Sequence, residues 1–191
     1  MIEHLFISKV RVKLLHLFFS DLSREIHIRG IVRKIDEEIN AVRRELKNLE
    51  EIDILQSEKR GNRLYYKINP RCPVSDEITG LIHKEFGLGG IVLRNTDTLG
   101  SVLYAVLTTA FIQNHHPSSY DIDLIMIGDI NLKSLSSLVK KAEEEMKREI
   151  RYTVMDEEEF TFRKKKRDAF VMNILEKSKI MLIGDENRLL A

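Results

Sequence analysis

Two aspartates one residue apart, Asp121 and Asp123, sit in the apolar run "YDIDLIMIG" at 120–128. On a strand that spacing turns both side chains to one face. Paired carboxylates are a common way to hold a divalent cation such as Mg2+, which can then bridge phosphate oxygens. A metal site that handles a nucleotide normally has a glycine turn beside it, where backbone N–H groups approach the phosphates. The preceding stretch, "TTAFIQNHHPSSY" at 108–120, contains no glycine. His115 and His116 stand side by side in it, and a loop could bring them to a shared metal with the aspartates. The competing reading of Asp121 and Asp123 is structural: they cap strands or pair with Lys or Arg.

A second chemistry is spread over residues 39–63. In "INAVRRELKNLEEIDIL" the apolar residues Ile39, Val42, Leu46, Leu49 and Ile52 recur on one helical face. The faces left over carry Asn40, Arg43, Arg44 and Lys47. A DNA major groove admits an α-helix, and Arg and Asn can pair with base edges there. Lys47, a turn further on, is better placed for phosphate. The turn "EKRGNR" that follows puts Lys59, Arg60 and Arg63 on a protruding hairpin suited to a minor groove or to backbone phosphates. The plain alternative is a solvated basic face, with Glu45 pairing to its neighbours. Glu37 and Glu38 at the helix start would repel phosphate.

These side chains need elements to carry them. Leu5, Val10, Leu14, Leu15, Leu17 and Phe18 predict a first helix over 5–19. After the break "SDLSRE", with Ser23 a candidate N-cap, Ile28, Ile31, Val32 and Ile35 predict a short second helix over 28–35. Asp36–Glu38 is a turn into the Ile39 helix. Two β-prone runs around Gly61–Asn62 predict a hairpin over 54–69. Helix, short helix, turn, helix, hairpin is the order of a winged helix-turn-helix. "NPRCPV" closes this part, 74–86 is a connecting helix, and "GLGG" at 87–90 is expected to be flexible punctuation. Beyond it, strands are expected at 101–112, 120–127, 150–155 and 179–184. Helices are expected over 132–148, after "DEEEF", and over 170–178. The charged run "RKKKRD" reads as solvated. Alternating strands and helices make a small α/β domain.

Bulk properties bound the rest. The 191 residues are 43% hydrophobic and 32% charged, which suits one large or two small globular domains. The net charge of +1 hides an asymmetry: residues 1–72 hold 15 Lys/Arg against 11 Asp/Glu, and residues 73–191 hold 16 against 19. A basic first third points to a polyanion partner. The single cysteine, Cys72, excludes an internal disulfide framework and a Cys-based zinc site, and suits a reducing cytoplasm. The N-terminus is unlike a signal peptide, and no apolar run is long enough to span a membrane.

Four stretches, "SKVRVKLLHLFF", "REIHIRGIVRKI", "NAVRRELKNLEEIDIL" and "GNRLYYKIN", together resemble archaeal winged-helix regulators of the arsenical-repressor-like class. "DIDLIMIGDINL" and "KIMLIGDENRL" extend the resemblance to the subset fused to a minimal nucleotidyltransferase-like domain. The resemblance implies a DNA-binding transcriptional regulator, a homodimer on double-stranded DNA. The paired metal-sensing cysteines of arsenical repressors are missing, so sensing of that type is not implied. In the nucleotidyltransferase motif a Gly-Ser turn precedes an Asp-x-Asp, and a later strand adds a third carboxylate. Asp121 and Asp123 match the Asp-x-Asp and would hold Mg2+. The Gly-Ser position falls on Thr108–Thr109, or on Thr109–Ala110, where a β-branched Thr suits neither a left-handed turn nor close phosphate approach. The later strand "IRYTVM" has no carboxylate, and Asp156 lies just past its end. The expected architecture is therefore α+β or α/β, in three parts. A winged helix-turn-helix occupies 1–72, a connecting helix or linker 73–90, and a degenerate nucleotidyltransferase-like domain with a mixed sheet 91–191. The last would sense a nucleotide or small-molecule effector or support dimerisation, with the first helix as one candidate dimer surface. Two alternatives stand beside a regulator. One is an active Mg-dependent nucleotidyltransferase acting on a protein or small molecule. The other is the nucleotidyltransferase-type partner of a toxin–antitoxin pair.

Overall fold

The computed structural model describes residues 6–113 and 121–191. The chain is mixed α/β and divides into two compact units, Met1–Glu85 and Phe86–Ala191. The division falls inside the expected 73–90 linker. The first part of that segment is a helix of the first unit, and the second part is a helix of the second.

The first unit runs α1 (Lys9–Phe19), β1 (Ile26–His27), α2 (Ile28–Ile35), α3 (Ile39–Glu51), β2 (Leu55–Arg60), β3 (Arg63–Ile68) and α4 (Ser75–Glu85). Ser8 caps α1, its side chain accepting from the Arg11 N–H. Val12, Leu14, Leu15, Leu17, Phe18 and Phe19 of α1 are all buried, and α1 packs on α2, α3 and α4. These six residues are core, while Val10 at the start of the helix is only half-buried.

Ser23 does not cap α2; its hydroxyl donates to Asp21 at 2.7 Å. The cap is His27, whose Nδ1 accepts the Gly30 N–H at 2.9 Å. A side chain at residue 30 would crowd Ile26, with a Cβ only 2.9 Å from Ile26 Cγ1, so glycine permits the close packing of β1 on α2. α3 is capped by Glu38, which accepts from Asn40 and Ala41 N–H at 2.7 and 2.9 Å. It buries Val42, Glu45, Leu46 and Leu49. Ile52, expected on the same stripe, lies past the last turn and is exposed.

The hairpin pairs Leu55 with Ile68 through to Arg60 with Arg63, around Gly61–Asn62. β1 adds a third antiparallel strand, Ile26 against Tyr66 and His27 against Tyr65, giving the order β1-β3-β2. A two-residue strand is too short to show any periodicity, so nothing in the sequence pattern marks it.

The second unit runs α5 (Gly87–Arg94), a 3-10 turn (Thr96–Thr98), β4 (Gly100–Thr108), α6 (Thr109–Gln113) and β5 (Leu124–Ile130). It continues with α7 (Leu132–Met146), β6 (Tyr152–Met155), α8 (Glu157–Lys165), α9 (Ala169–Glu176), β7 (Lys179–Ile183) and α10 (Glu186–Leu190). The "GLGG" segment is thus helix, not punctuation. Leu88, Gly89 and Gly90 are buried, and α5 packs on α7. Tertiary burial overrides the weak helix propensity of glycine there.

The mixed sheet has the order β6-β5-β4-β7. β4 is antiparallel to both β5 and β7, and β5 is parallel to β6 through the α7 crossover. Alternate residues of the central strands feed two cores. Ala105, Leu107, Leu124 and Met126 pack with Leu88, Ile91, Val92, Leu135 and Val139 from α5 and α7. Val106, Ile125 and Ile127 pack with Phe160, Val171, Ile174 and Leu189 from α8, α9 and α10. Burial on both faces explains why "LIMI" is continuously apolar. Among the described residues no helix is long and apolar enough to cross a membrane.

Candidate functional site

The first unit concentrates exposed cations where α2, α3 and the hairpin meet. Asn40, Arg43, Arg44 and Lys47 are all exposed on α3, and Lys59, Arg60 and Arg63 are exposed on the hairpin. They do not form one set. Arg43 and Arg63 line an open groove of about 830 Å³. Arg29 and Arg33 of α2 line the same groove with His27 and Asn62, over a floor that includes Ile28, Val32, Ile39 and Leu64. The α2 arginines escape a reading of the sequence because only the tertiary arrangement brings α2 alongside the hairpin. The one available signal is their i, i+4 spacing.

Of the remaining cations, Arg60 and Lys47 are paired with carboxylates, whereas Arg44 and Lys59 have no carboxylate within 4.0 Å among the described residues. Arg60 Nη2 lies 2.6 Å from Glu25 and 2.7 Å from Glu58, and its guanidinium stands 5.4 Å from the centre of the Tyr65 ring. The hydrogen bond to Glu58 and the charges of Glu25 and Glu58 drive its pKa further up. Arg60 therefore latches the hairpin to the segment before β1. Lys47 pairs with Glu51 at 3.4 Å. Glu45 forms its ion pair with Arg11 of α1, at 2.9 Å, and also takes a hydrogen bond from Asn48 on its own helix. Burial raises the Glu45 carboxyl, and hydrogen bonds from Arg11 and Ser8 with the Arg11 charge more than reverse this, leaving it below the ordinary glutamate range. Glu37 is neutralised by Lys13 at 2.6 Å. Glu38 spends one oxygen on the α3 cap. The two backbone N–H groups, with Arg43 and Arg44 nearby, hold its pKa down and keep it ionised.

In the second unit Asp121 and Asp123 both precede β5, which begins at Leu124, so the expected strand at 120–127 starts later. Likewise the strand expected over 101–112 ends at Thr108, and Thr109 opens α6. Asp121 is half-buried and lines a small cavity of about 80 Å³ with Thr108, Thr109, Asn173 and Lys177. Asp123 is wholly buried. Its Oδ1 accepts from Arg148 Nη2 at 3.2 Å and its Oδ2 from the Arg151 N–H at 2.9 Å. The Arg148 guanidinium also lies 4.5 Å from the centre of the Phe111 ring. Burial lowers the Arg148 pKa, and the Asp123 charge opposes that. Asp123 thus takes the structural alternative, pairing with an arginine.

The threonines are engaged too. The Thr108 hydroxyl donates to the Ile122 carbonyl, and the Thr109 hydroxyl to the Ser178 carbonyl. They tie β4 to the segments leading into β5 and β7. β6 carries no carboxylate, and Asp156 caps α8 by accepting the Glu159 N–H at 2.7 Å. A divalent cation at Asp123 would compete with Arg148, because both of its oxygens already accept, one from Arg148 and one from the Arg151 N–H. Among the described residues no three His, Cys, Asp or Glu side chains converge on a point where a metal would sit. The expected His115–His116 contribution lies outside the described residues. A cavity of about 80 Å³ is also small beside the ~300 Å³ and upward typical of small-molecule sites.

Comparison of the chain with family models, with curated proteins and with solved structures returns no match.

Proposed function

We propose that the chain is a DNA-binding transcriptional regulator. In this reading the first unit is a winged helix-turn-helix. The second is a nucleotidyltransferase-like domain that has lost its chemistry and serves effector sensing, dimerisation or both. The observation that carries the reading is the outer face of α3. Asn40, Arg43 and Arg44 are exposed in its first two turns, beside an exposed hairpin arginine, Arg63. Residues at the start of such a helix reach base edges in a major groove, with Arg pairing to guanine and Asn to adenine. A homodimer on a pseudo-palindromic site is the matching assembly.

The nucleotidyltransferase alternative needs Asp123 free for a metal, and that carboxylate already holds Arg148. The test is binding of the full chain to mixed-sequence duplex DNA by fluorescence anisotropy, repeated across a salt series. Affinity should fall steeply with salt. Arg43→Ala/Arg44→Ala should weaken binding by an order of magnitude or more, since a bidentate Arg–base pair is worth ~1–3 kcal/mol. A wild-type chain without salt-sensitive duplex binding would dismiss the regulator. A double variant that binds as the wild type does would remove α3 as its reader.

A further inference from the structure

The groove of the first unit holds two cations that the α3 reading leaves idle. Arg29 and Arg33 are four residues apart on α2, so their side chains emerge one above the other on the same face. Both are exposed and both line the groove that Arg43 and Arg63 line from α3 and β3. Like charges at this spacing oppose a helix, so the pair is not there for the sake of α2.

Some cations of the unit are neutralised and others, such as Arg44 and Lys59, have no carboxylate within 4.0 Å among the described residues; what sets Arg29, Arg33, Arg43 and Arg63 apart is that they are gathered on one groove. Arg11, Lys13, Arg24, Lys47 and Arg60 each have a carboxylate within 4.0 Å. Among the described residues none of the four groove arginines has one; the nearby anionic influence is Glu38, acting on Arg43 at longer range. Four guanidiniums gathered from three elements therefore face open space and lack a counter-charge.

Resting on the regulator reading above, we propose that this groove is a clamp for the sugar–phosphate backbone of the duplex. Arg29 and Arg33 hold one side, Arg63 the other, and Arg43 joins the clamp to the reading helix. The ligand chemistry follows from the lining. Planar guanidiniums suit phosphate oxygens bidentately. The floor residues Ile28, Val32, Ile39 and Leu64 are aliphatic, and the His27 ring in the lining is already engaged, accepting the Gly30 N–H and standing edge-on to Tyr65. The clamp therefore grips every sequence alike and sets how α3 lies on the duplex, while α3 supplies discrimination.

The test uses the full chain, two duplexes of unrelated sequence, and a salt series for each. Arg29→Ala/Arg33→Ala should bind both duplexes more weakly by the same factor. It should also flatten the slope of log K against log salt by about 1.8, at ~0.9 for each phosphate no longer neutralised. Arg29→Lys/Arg33→Lys should restore the slope because the charges return. Thermal melting of the alanine variant should match the wild type, since the removed groups hold no carboxylate. Wild-type binding with an unchanged slope in the alanine variant would overturn the clamp and leave the regulator reading standing. Absence of wild-type duplex binding would sink both. A loss confined to one duplex would mean that these arginines read bases, which also overturns the clamp. Inorganic phosphate forms the last arm: if it stabilises the wild type, spares the alanine variant, and the duplex slopes stay equal, the groove serves a free anion instead.

Discussion

Replacing Asp123 by Asn tests whether this carboxylate is a structural counter-ion. The side chain is fully buried, 3.2 Å from a guanidinium nitrogen of Arg148. At an effective dielectric of ~20 two unit charges at that distance attract by about 5 kcal/mol. Asn removes the charge and turns an amide donor or a weaker acceptor toward the guanidinium. Arg148 keeps 18% of its side-chain surface exposed and can shift toward water, so part of that energy is recovered. Breaking a buried pair from one side costs roughly 3–5 kcal/mol, and with this relaxation the expected loss is about 3 kcal/mol. For a unit of this size that corresponds to about 10–20 °C in melting temperature. The assay is urea and thermal unfolding followed by far-UV circular dichroism, for wild type, Asp123→Asn, Arg148→Met and the double variant. Methionine keeps an apolar contact with Phe111. The double variant should be about as stable as either single one, giving a coupling energy of roughly 3 kcal/mol. Strict additivity, or an Asp123→Asn variant within ~0.5 kcal/mol of wild type, refutes the counter-ion argument. A rise in wild-type melting temperature with millimolar Mg2+ that Asp123→Asn abolishes would do the same, because it would make the residue a ligand.

Other outcomes follow from the same geometry. Glu45 has its folded pKa held below the ordinary 4.5, so its bond to Arg11 adds stability that is full above that pH and lost as acid protonates it; Glu45→Gln should lower stability at neutral pH and leave a shallower acid limb in melts taken below about pH 4.5. Gly128 has φ +135°, and a methyl group there would overlap the Ser101 carbonyl beside the β4 bulge; Gly128→Ala should prevent regular β4–β5 pairing and show as a large loss of cooperative unfolding. Arg60→Ala should reduce duplex affinity only as far as Glu25→Gln does, because both release the same hairpin latch; a much larger effect of Arg60→Ala in anisotropy would make it a direct phosphate contact.

The elements that can be read from sequence are those whose burial repeats with a short period. The stripe Ile28, Ile31, Val32, Ile35 marks α2 at its observed ends, and the spacing of Val42, Leu46 and Leu49 marks α3. The hairpin is announced by Gly61–Asn62 between β-prone runs. What escapes depends on partners distant in sequence. β1 is two residues long and exists because Tyr65 and Tyr66 pair with it. The helix over Gly87–Arg94 hides behind three glycines and is held by α7. The Asp121–Asp123 spacing flags unusual carboxylates inside an apolar run. It carries no information on Arg148, which reaches Asp123 from 25 positions along the chain. In the same way, Arg43 and Arg63 can be picked out by their local elements, whereas Arg29 and Arg33 join them only once α2 is folded against the hairpin.

The strand order β6-β5-β4-β7 also has a consequence for synthesis on the ribosome. β4 occupies residues 100–108, yet one of its two neighbours is Lys179–Ile183, and the Thr109 hydroxyl reaches a carbonyl 69 positions ahead. A nascent chain that has released β4, β5 and β6 therefore still shows one open β4 edge and an incomplete apolar face. The first unit, complete by Glu85, meets no such delay. Emergence is vectorial at ~5–20 residues per second, so the second unit spends several seconds with that edge unpaired while the first is already formed. Protection of the β4 edge by chaperones, or its vulnerability to aggregation, is thus concentrated in the interval before residues 179–183 appear.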